Sequence, residues 1–228
     1  MKLLHKGILR TLLLFAGTIF TFSSCTHDDE ILASKGPDIT RGTEKVTLTN
    51  PATAFDKSHS NVGWETLYLG STAILTGRFN SFGFNSFEFD ESNAAGISFD
   101  AWVWLNSVNT GEPGRDDGCL IGTYGTDNAF TTETANLATI KTKSVELSTT
   151  DKGYNVKADF TFHGVTKEIT GKLNYDGKTQ ITSAGVVKDV LGFSFSFQFL
   201  AKTDFGIQSS NIGDNVNIKC NAVIRRTI

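Results

Sequence analysis

The chain has 228 residues, a length that suits one all-β barrel or sandwich. Its 18 Phe and 22 Gly, set against a single Met, favour strands and turns over helices. The formal net charge of −3 argues against nucleic acid as a partner, because binding to phosphates requires a basic surface.

Residues 1–24 have the pattern of an export signal. Lys2, Lys6 and Arg10 precede an apolar run over residues 12–20, which is too short to span a membrane as a helix. The run is followed by Phe-Ser-Ser and then Cys25, which resembles the lipobox of bacterial lipoproteins. In that class of protein the Cys becomes the first mature residue and carries acyl chains. The alternative is an ordinary secretory signal that happens to contain a Cys.

Residues 25–45 are predicted to form a flexible tether. The acidic cluster Asp28-Asp29-Glu30 resembles the surface-export signal of Bacteroidetes lipoproteins, and a solvated acidic linker is the alternative. Residues 31–45 show no sustained periodicity and contain Gly36-Pro37. We therefore expect an exported outer-membrane lipoprotein, on the periplasmic or the cell-surface face, attached to the membrane through Cys25. The folded domain is expected to cover residues 46–228.

This domain reads as a series of short alternating runs separated by turn residues, which is typical of an antiparallel barrel or sandwich. Where the alternation lapses, a short helix is possible over residues 115–123. The predicted strands are Asn61–Leu69, Thr72–Phe79, Asn85–Asp90, Gly96–Val108, Ala138–Ser148, Tyr154–Phe162, Lys167–Tyr175, Val186–Lys202 and Asn215–Ile224.

The strands have one aromatic face and one polar face. Residues 193–199 read Phe-Ser-Phe-Ser-Phe-Gln-Phe, and successive side chains of a strand point to opposite faces. Ser194, Ser196, Asp159 and Lys219 are predicted to face solvent. The predicted interior residues are Phe87, Phe89, Phe99, Val103, Leu105, Phe160, Phe193, Phe195, Phe197, Phe199 and Ile218.

One strand is apolar on both faces, since Trp102 and Trp104 lie opposite Val103 and its neighbours. We expect a covering segment over the two Trp rings, from the chain before residue 60 or from residues 112–136. An exposed interaction patch is the alternative.

The residues that could carry chemistry are few. No catalytic, metal or phosphate-binding motif occurs, so we predict no catalytic residue, no metal and no cofactor. A metal site formed by His59 and His163 lacks specific spacing, and His163 lies in a predicted turn. A disulfide between Cys119 and Cys220 is left open, because sequence does not supply the required Cα distance.

Several segments match a known family. The two most specific are Phe-His-Gly-Val-Thr-Lys at 162–167 and Lys-Thr-Asp-Phe-Gly-Ile at 202–207. Further matches are Asp-Lys-Ser-His-Ser-Asn-Val-Gly-Trp at 56–64, Leu-Thr-Gly-Arg-Phe-Asn-Ser-Phe at 75–82, Phe-Glu-Phe-Asp at 87–90, Val-Asn-Thr-Gly at 108–111 and Arg115-Asp116. In this order, from about residue 55 to residue 224, they resemble the YceI-like family.

The resemblance implies an extended, eight-stranded, antiparallel barrel of lipocalin type. It also implies a long-chain amphiphile, such as a polyisoprenoid or a fatty-acid derivative, with its tail inside the barrel. Family members usually have a His-Leu pair after Arg-Asp, where this chain has Asp117-Gly118-Cys119-Leu120. Arg115 is therefore the residue carried over as a contact for the polar head.

Three functions remain open from the sequence. The first is a membrane-tethered carrier for a lipidic molecule, which needs no catalytic group. The second is an interaction module whose barrel is filled by its own Phe side chains. The third is an enzyme acting on a lipid through His59, His163 or Asp116. The oligomeric state is not predicted.

Overall fold

The computed structural model describes residues 39–48, 50–116 and 132–228. The strands are β1 (Lys45–Thr47), β2 (Asn61–Tyr68), β3 (Ala73–Phe79), β4 (Phe82–Asp90), β5 (Ser98–Trp104), β6 (Val108–Asn109), β7 (Leu137–Leu147), β8 (Tyr154–Phe162), β9 (Val165–Ser183), β10 (Val186–Leu200) and β11 (Ile212–Thr227). The α-helices are α1 (Pro51–Ala54) and α2 (Glu133–Asn136), and single 3-10 turns cover Lys57–His59, Ala94–Gly96 and Leu105–Ser107. No helix in the described part of the chain is long and apolar enough to cross a membrane.

All strands belong to one antiparallel sheet in the order β1-β4-β5-β7-β8-β9-β10-β11-β2-β3-β6. Two short strands bring the ends of this sheet together. β6 pairs with the end of β3, and it follows β5 directly through the turn Leu105–Ser107. β1 pairs with residues 88–90 of β4, and its Lys45 carbonyl accepts a hydrogen bond from Arg226 of β11 at 2.8 Å. The sheet thereby closes into a barrel.

The antiparallel barrel predicted from the sequence is confirmed, and most strand bounds agree within two residues. β8 spans the predicted residues Tyr154–Phe162. In the described part of the chain, nine strands have seven or more residues, which is one more than the eight that the resemblance implies. Most of the possible helix at 115–123 lies outside the described residues.

The strand predicted to stop at Tyr175 continues to Ser183 as part of β9, so the predicted stop was wrong. Gly177 pairs with Gly192 and Tyr175 pairs with Phe193, which leaves Asp176 as an extra residue in the ladder. Gly177, with φ near +120°, makes this bulge possible. The Asp-Gly pair therefore bends the strand instead of ending it.

A second bulge keeps the aromatic residues of β4 on one side. Phe84 pairs with Ala101 and Ser86 pairs with Asp100, so Asn85 is the extra residue. Without the bulge, Phe84 and Phe87 would point to opposite faces. With it, both rings face the interior, and their centroids lie 5.3 Å apart.

The predicted alternation holds on the other core strands. Tyr154, Val156, Ala158, Phe160 and Phe162 of β8 are all buried. On β10 and β11, Ser196 and Lys219 are exposed while Phe193 and Ile218 are buried.

An ion-pair network closes one end of the barrel beside β1. Arg226 bonds Asp189 at 2.6 Å and Glu44 at 2.9 Å, and Lys178 bonds Glu44 at 2.6 Å. The hydrogen bond from Arg226 lowers the pKa of Asp189, against the opposing effect of burial. Burial acts to raise the pKa of Glu44, but its bonds to Lys178 and Arg226 bring the net shift below the ordinary value.

Acid is therefore expected to destabilise the barrel partly through this network. A carboxyl whose pKa is lower in the folded state stabilises the fold above its unfolded pKa. That stabilisation is lost as the pH falls through the folded pKa. Asp189→Asn is expected to reduce stability at neutral pH and to weaken the acid dependence, as measured by urea midpoints over a pH series. Glu88→Gln, on an exposed residue, is the control, and equal acid dependence in wild type and Asp189→Asn would contradict the prediction.

Candidate functional site

The barrel encloses a cavity whose lining is almost entirely apolar. The cavity has a volume of about 120 Å³, counted as the space that the centre of a water molecule can occupy. One water needs roughly 10–15 Å³ by this measure, so the cavity has room for several groups of that size. The predicted interior residues that line it are Phe87, Phe99, Val103, Leu105, Phe160, Phe193, Phe195, Phe197, Phe199 and Ile218. Their contact with a ligand stays a prediction.

Some lining residues were missed by the sequence analysis. They include Phe55, Trp64, Phe79, Phe82 and Phe84. Phe82 and Phe84 alternate as strand residues do, and the bulge at Asn85 hid their common face with Phe87. Phe55 precedes the first predicted strand of the barrel domain, so periodicity gave no signal for it.

Glycines on neighbouring strands explain how a Phe-rich interior keeps free space. A Cβ placed on Gly171 of β9 would meet the ring of Phe195 at 2.5 Å. A Cβ on Gly77 of β3 would meet Trp64 at the same distance. Both rings therefore lie flat across the wall, where larger residues would push them into the lumen.

Aromatic clusters narrow both ends of the cavity. At the end near β1, Phe89 contacts Tyr154, Tyr175 and Phe193 at centroid distances of 5.6, 5.3 and 5.0 Å. At the other end, Phe205 lies 5.4 Å from Phe199 and is buried. Phe89 was predicted to line the binding site, but it lies in the end cluster and does not line the cavity. The cause is its position near the last residue of β4, beside β1.

Arg115, the predicted head-group contact, does not line the cavity either. Its backbone N–H donates to the Glu112 carbonyl at 2.9 Å in the loop after β6. The neighbouring Asp116 accepts hydrogen bonds from the backbone and the hydroxyl of Thr110, at 2.9 and 2.6 Å. These contacts organise the described start of the loop, and none of residues 110–116 lines the cavity.

The lining is also poor in charge. Among the described residues that line the cavity, Cys220 is the sole titratable group, and burial raises the pKa of its thiol to about 12. Cys220 is a free thiol, and Cys119, with which the sequence left a disulfide open, lies outside the described residues. A neutral, desolvated wall favours an uncharged hydrocarbon over any polar group.

The two His residues of the described ranges, His59 and His163, occupy structural positions. His163 and Gly164 form the two-residue turn between β8 and β9, both with positive φ, and Phe162 pairs with Val165 across it. Burial lowers the pKa of His163. His59 bonds Asp56 at 2.8 Å on the segment before β2. Within the described ranges, no three His, Cys, Asp or Glu side chains are grouped as a metal site requires.

Trp102 is partly covered from the segment before residue 60, one of the two sources that the sequence suggested. The Lys57 ammonium lies 6.0 Å from the centroid of the Trp102 ring. A Cβ on Gly83 would meet the same ring at 2.9 Å, so the Trp102 ring lies across β4. Trp104 is half-buried.

A family comparison gives a match over most of the chain. The YceI-like domain matches residues 54–224. A UPF0312 protein of Vibrio vulnificus is 28% identical over 123 residues, which cover 54% of this chain and 61% of that protein. A UPF0312 protein of Vibrio campbellii is 31% identical over 120 residues, covering 53% and 59%. The match thus spans about three fifths of the length of these curated relatives.

Solved structures share the fold. BcnA of Burkholderia cenocepacia has a TM-score of 0.60 at 19% identity, covering 74% of this chain and 98% of that one. The YceI protein of Campylobacter jejuni has a TM-score of 0.52 at 21% identity, covering 69% and 87%. A domain from Saccharophagus degradans described as polyisoprenoid-binding has a TM-score of 0.50 at 17% identity, covering 78% and 100%. At these identities the likeness concerns the fold alone.

Proposed function

The chain belongs to the YceI-like domain family, and from this premise we propose that it binds a long-chain amphiphile inside its barrel. The ligand class is a polyisoprenoid or a fatty-acid-like lipid, with the tail in the cavity and the polar head at its rim. The observation that carries the proposal is the cavity itself, whose described lining is apolar, rich in aromatic side chains and free of charged side chains.

The energetics of such a ligand need no charged contact. Burial of a hydrocarbon chain contributes roughly 0.8 kcal/mol per methylene, so about ten buried methylenes contribute about 8 kcal/mol. Without the cost of association, that corresponds to a Kd on the order of micromolar. A longer tail or a head-group contact offsets the entropy lost on binding.

The name of the Saccharophagus degradans domain supports the ligand class by analogy of fold. The proposed role for this chain is that of a carrier or sequestering protein, because the cavity offers space and its described lining holds no reactive group beyond the neutral Cys220 thiol.

Saturable lipid uptake is the expected test result. The delipidated protein is titrated with a fluorescent long-chain fatty acid and, separately, with a fluorescent prenyl phosphate. Each should saturate at one ligand per barrel. If the folded protein takes up neither ligand, the lumen does not serve as a lipid site, and an interaction module with a closed barrel replaces the proposal.

We further propose that the protein is an outer-membrane lipoprotein acylated at Cys25, a residue that lies outside the described ranges. Cys25→Ser is expected to move the protein from the membrane fraction to the soluble exported fraction, because two or more acyl chains are needed for stable anchoring. The measurement is membrane fractionation with a carbonate wash, with Ser24→Ala as the control. A Cys25→Ser variant that stays wholly with the membranes would overturn the assignment.

A further inference from the structure

One part of the barrel wall is not built from strand pairing. β1 pairs with β4 only at residues 88–90, and β2 pairs with β11 only up to Asn221. The gap between them is filled by residues 51–60, which include α1 and the turn Lys57–His59 and which we call the strap. The helix of the strap contacts both β4 and β11.

The strap is bound to β11 by polar contacts. The Asp56 N–H donates to the Val223 carbonyl at 2.9 Å, and the Val223 N–H donates to the Ser60 hydroxyl at 2.9 Å. The Asp56 carboxylate forms an ion pair with Arg225 at 2.5 Å. These bonds hold the strap to one side of the gap.

On the β4 side, Phe55 and Lys57 of the strap contact aromatic rings. Phe55 lies edge-on to Phe84 at 5.1 Å and to Phe82 at 6.0 Å. The Lys57 ammonium lies 5.6 Å from the Phe82 ring and 6.0 Å from the Trp102 ring. Ring contacts separate and reform without breaking a hydrogen-bond ladder, so this seam is the weaker side of the strap.

The seam is continuous with the cavity. Phe55, Phe82, Phe84 and Trp102 all belong to the cavity lining. Phe82 faces the interior and is buried, whereas Trp102 lies on the opposite face of its strand. An ammonium within 6 Å of both rings therefore lies at the edge of the wall.

Lys57 is available to a ligand. Its side chain is exposed, and its ammonium forms no ion pair with any residue of the described ranges. The neighbouring Asp56 carboxylate is already bonded to Arg225 and His59. An anionic head group would complete the contacts of this ammonium with the strength of a charge-assisted hydrogen bond.

We propose that the seam between the strap and β4 is the entrance of the cavity, and that Lys57 binds the carboxylate or phosphate head of the ligand outside it. This inference rests on the proposed function and adds the place of access and the charge of the head group. It assigns to Lys57 the contact that the sequence assigned to Arg115.

Head-group selectivity tests the role of Lys57. The delipidated full-length protein is titrated with a long-chain fatty acid and with the fatty alcohol of equal length. Lys57→Glu is expected to lower the affinity for the fatty acid by about tenfold or more, as loss of one charged hydrogen bond predicts. The affinity for the alcohol should stay within about twofold of the wild-type value. Lys57→Ala should lower the affinity for the fatty acid to a smaller extent. Two controls should leave the affinity for both ligands unchanged. They are Lys157→Glu, on an exposed residue of β8, and Arg115→Ala.

The entrance is tested by the rate of uptake. Phe55→Ala removes the ring that seals the seam and is expected to speed the uptake of both ligands in stopped-flow measurements. Phe205→Ala, at the end of the cavity away from β1, should not speed uptake. Faster uptake by Phe205→Ala alone would place the entrance at that end and overturn the inference.

The two proposals fail in different ways. No saturable uptake of acid or alcohol by the wild type rejects the lipid-binding function. Uptake by the wild type that Lys57→Glu leaves unchanged for the acid rejects the head-group assignment alone. Because Lys57 is exposed, circular dichroism should show the same fold in all Lys57 variants.

Discussion

Phe197→Asp is expected to abolish lipid uptake while the barrel stays folded. The Phe197 ring lines the cavity beside Phe160, with centroids 5.1 Å apart, and it is only half-buried. A carboxylate at this position keeps water in an empty cavity but must be desolvated when a hydrocarbon tail enters. That cost amounts to several kcal/mol for a charged group, which exceeds the contribution of a few methylenes. The measurement is the fatty-acid titration.

The matched control is Ser196→Asp. Ser196 is the preceding residue of β10 and its side chain is exposed on the outer face, so the same charge should leave uptake unchanged. Circular dichroism and urea unfolding check the fold of both variants. Wild-type affinity in a folded Phe197→Asp variant would mean that the tail does not occupy this part of the barrel.

Phe193→Ala is expected to lower the free energy of unfolding by about 3–5 kcal/mol, the usual cost of removing a buried Phe ring. Phe193 is 2% exposed and contacts Phe87, Phe89 and Tyr175 at 5.0–5.3 Å. Phe197→Ala should cost clearly less, because both rings line the cavity but the Phe197 ring is only half-buried. Urea unfolding of the ligand-free protein measures both.

This pair of substitutions compares a tightly packed core ring, Phe193, with the half-buried ring of Phe197. Both residues are Phe on the inner face of β10, four positions apart. Equal losses of stability would show that the space beside Phe197 is filled in solution, as a closed interaction module requires.

The barrel could be predicted from the sequence because each core strand carries its own two-residue pattern. Residues 154–162 and 193–199 alternate without interruption, and the structure turns the predicted faces of both inward. The face of residues 154–162 is fully buried, whereas Phe195 and Phe197 are half-buried. The family motifs added the closed barrel, which alternation alone does not distinguish from a sandwich. Where the pattern is local and regular, register follows from it.

The bulges were not predictable in the same way. Asp176-Gly177 has the composition of a turn, yet here Gly177 pairs with Gly192 inside a continuous ladder. Whether such a pair ends a strand or bends it depends on the neighbouring strand, which lies elsewhere in the sequence. The bulge at Asn85 hid the common face of Phe84 and Phe87 for the same reason.

The cavity residues outside the strands were also beyond the sequence patterns. Phe55 and Lys57 lie on a segment with no periodicity, and only the gap between β4 and β11 gives them a role. Arg115 was assigned by resemblance, and it is not among the residues that line the cavity. Head-group contacts depend on loop geometry, which a motif does not fix.

Native mass spectrometry of the protein purified without detergent tests lipid binding most directly. We expect a population heavier than the apoprotein by the mass of one long-chain lipid, released on activation and identified by its fragments. Phe197→Asp purified in parallel should carry no such mass. If the folded wild type is found only as the apoprotein, and added fatty acid or prenyl phosphate gives no one-to-one adduct, the barrel does not bind lipid.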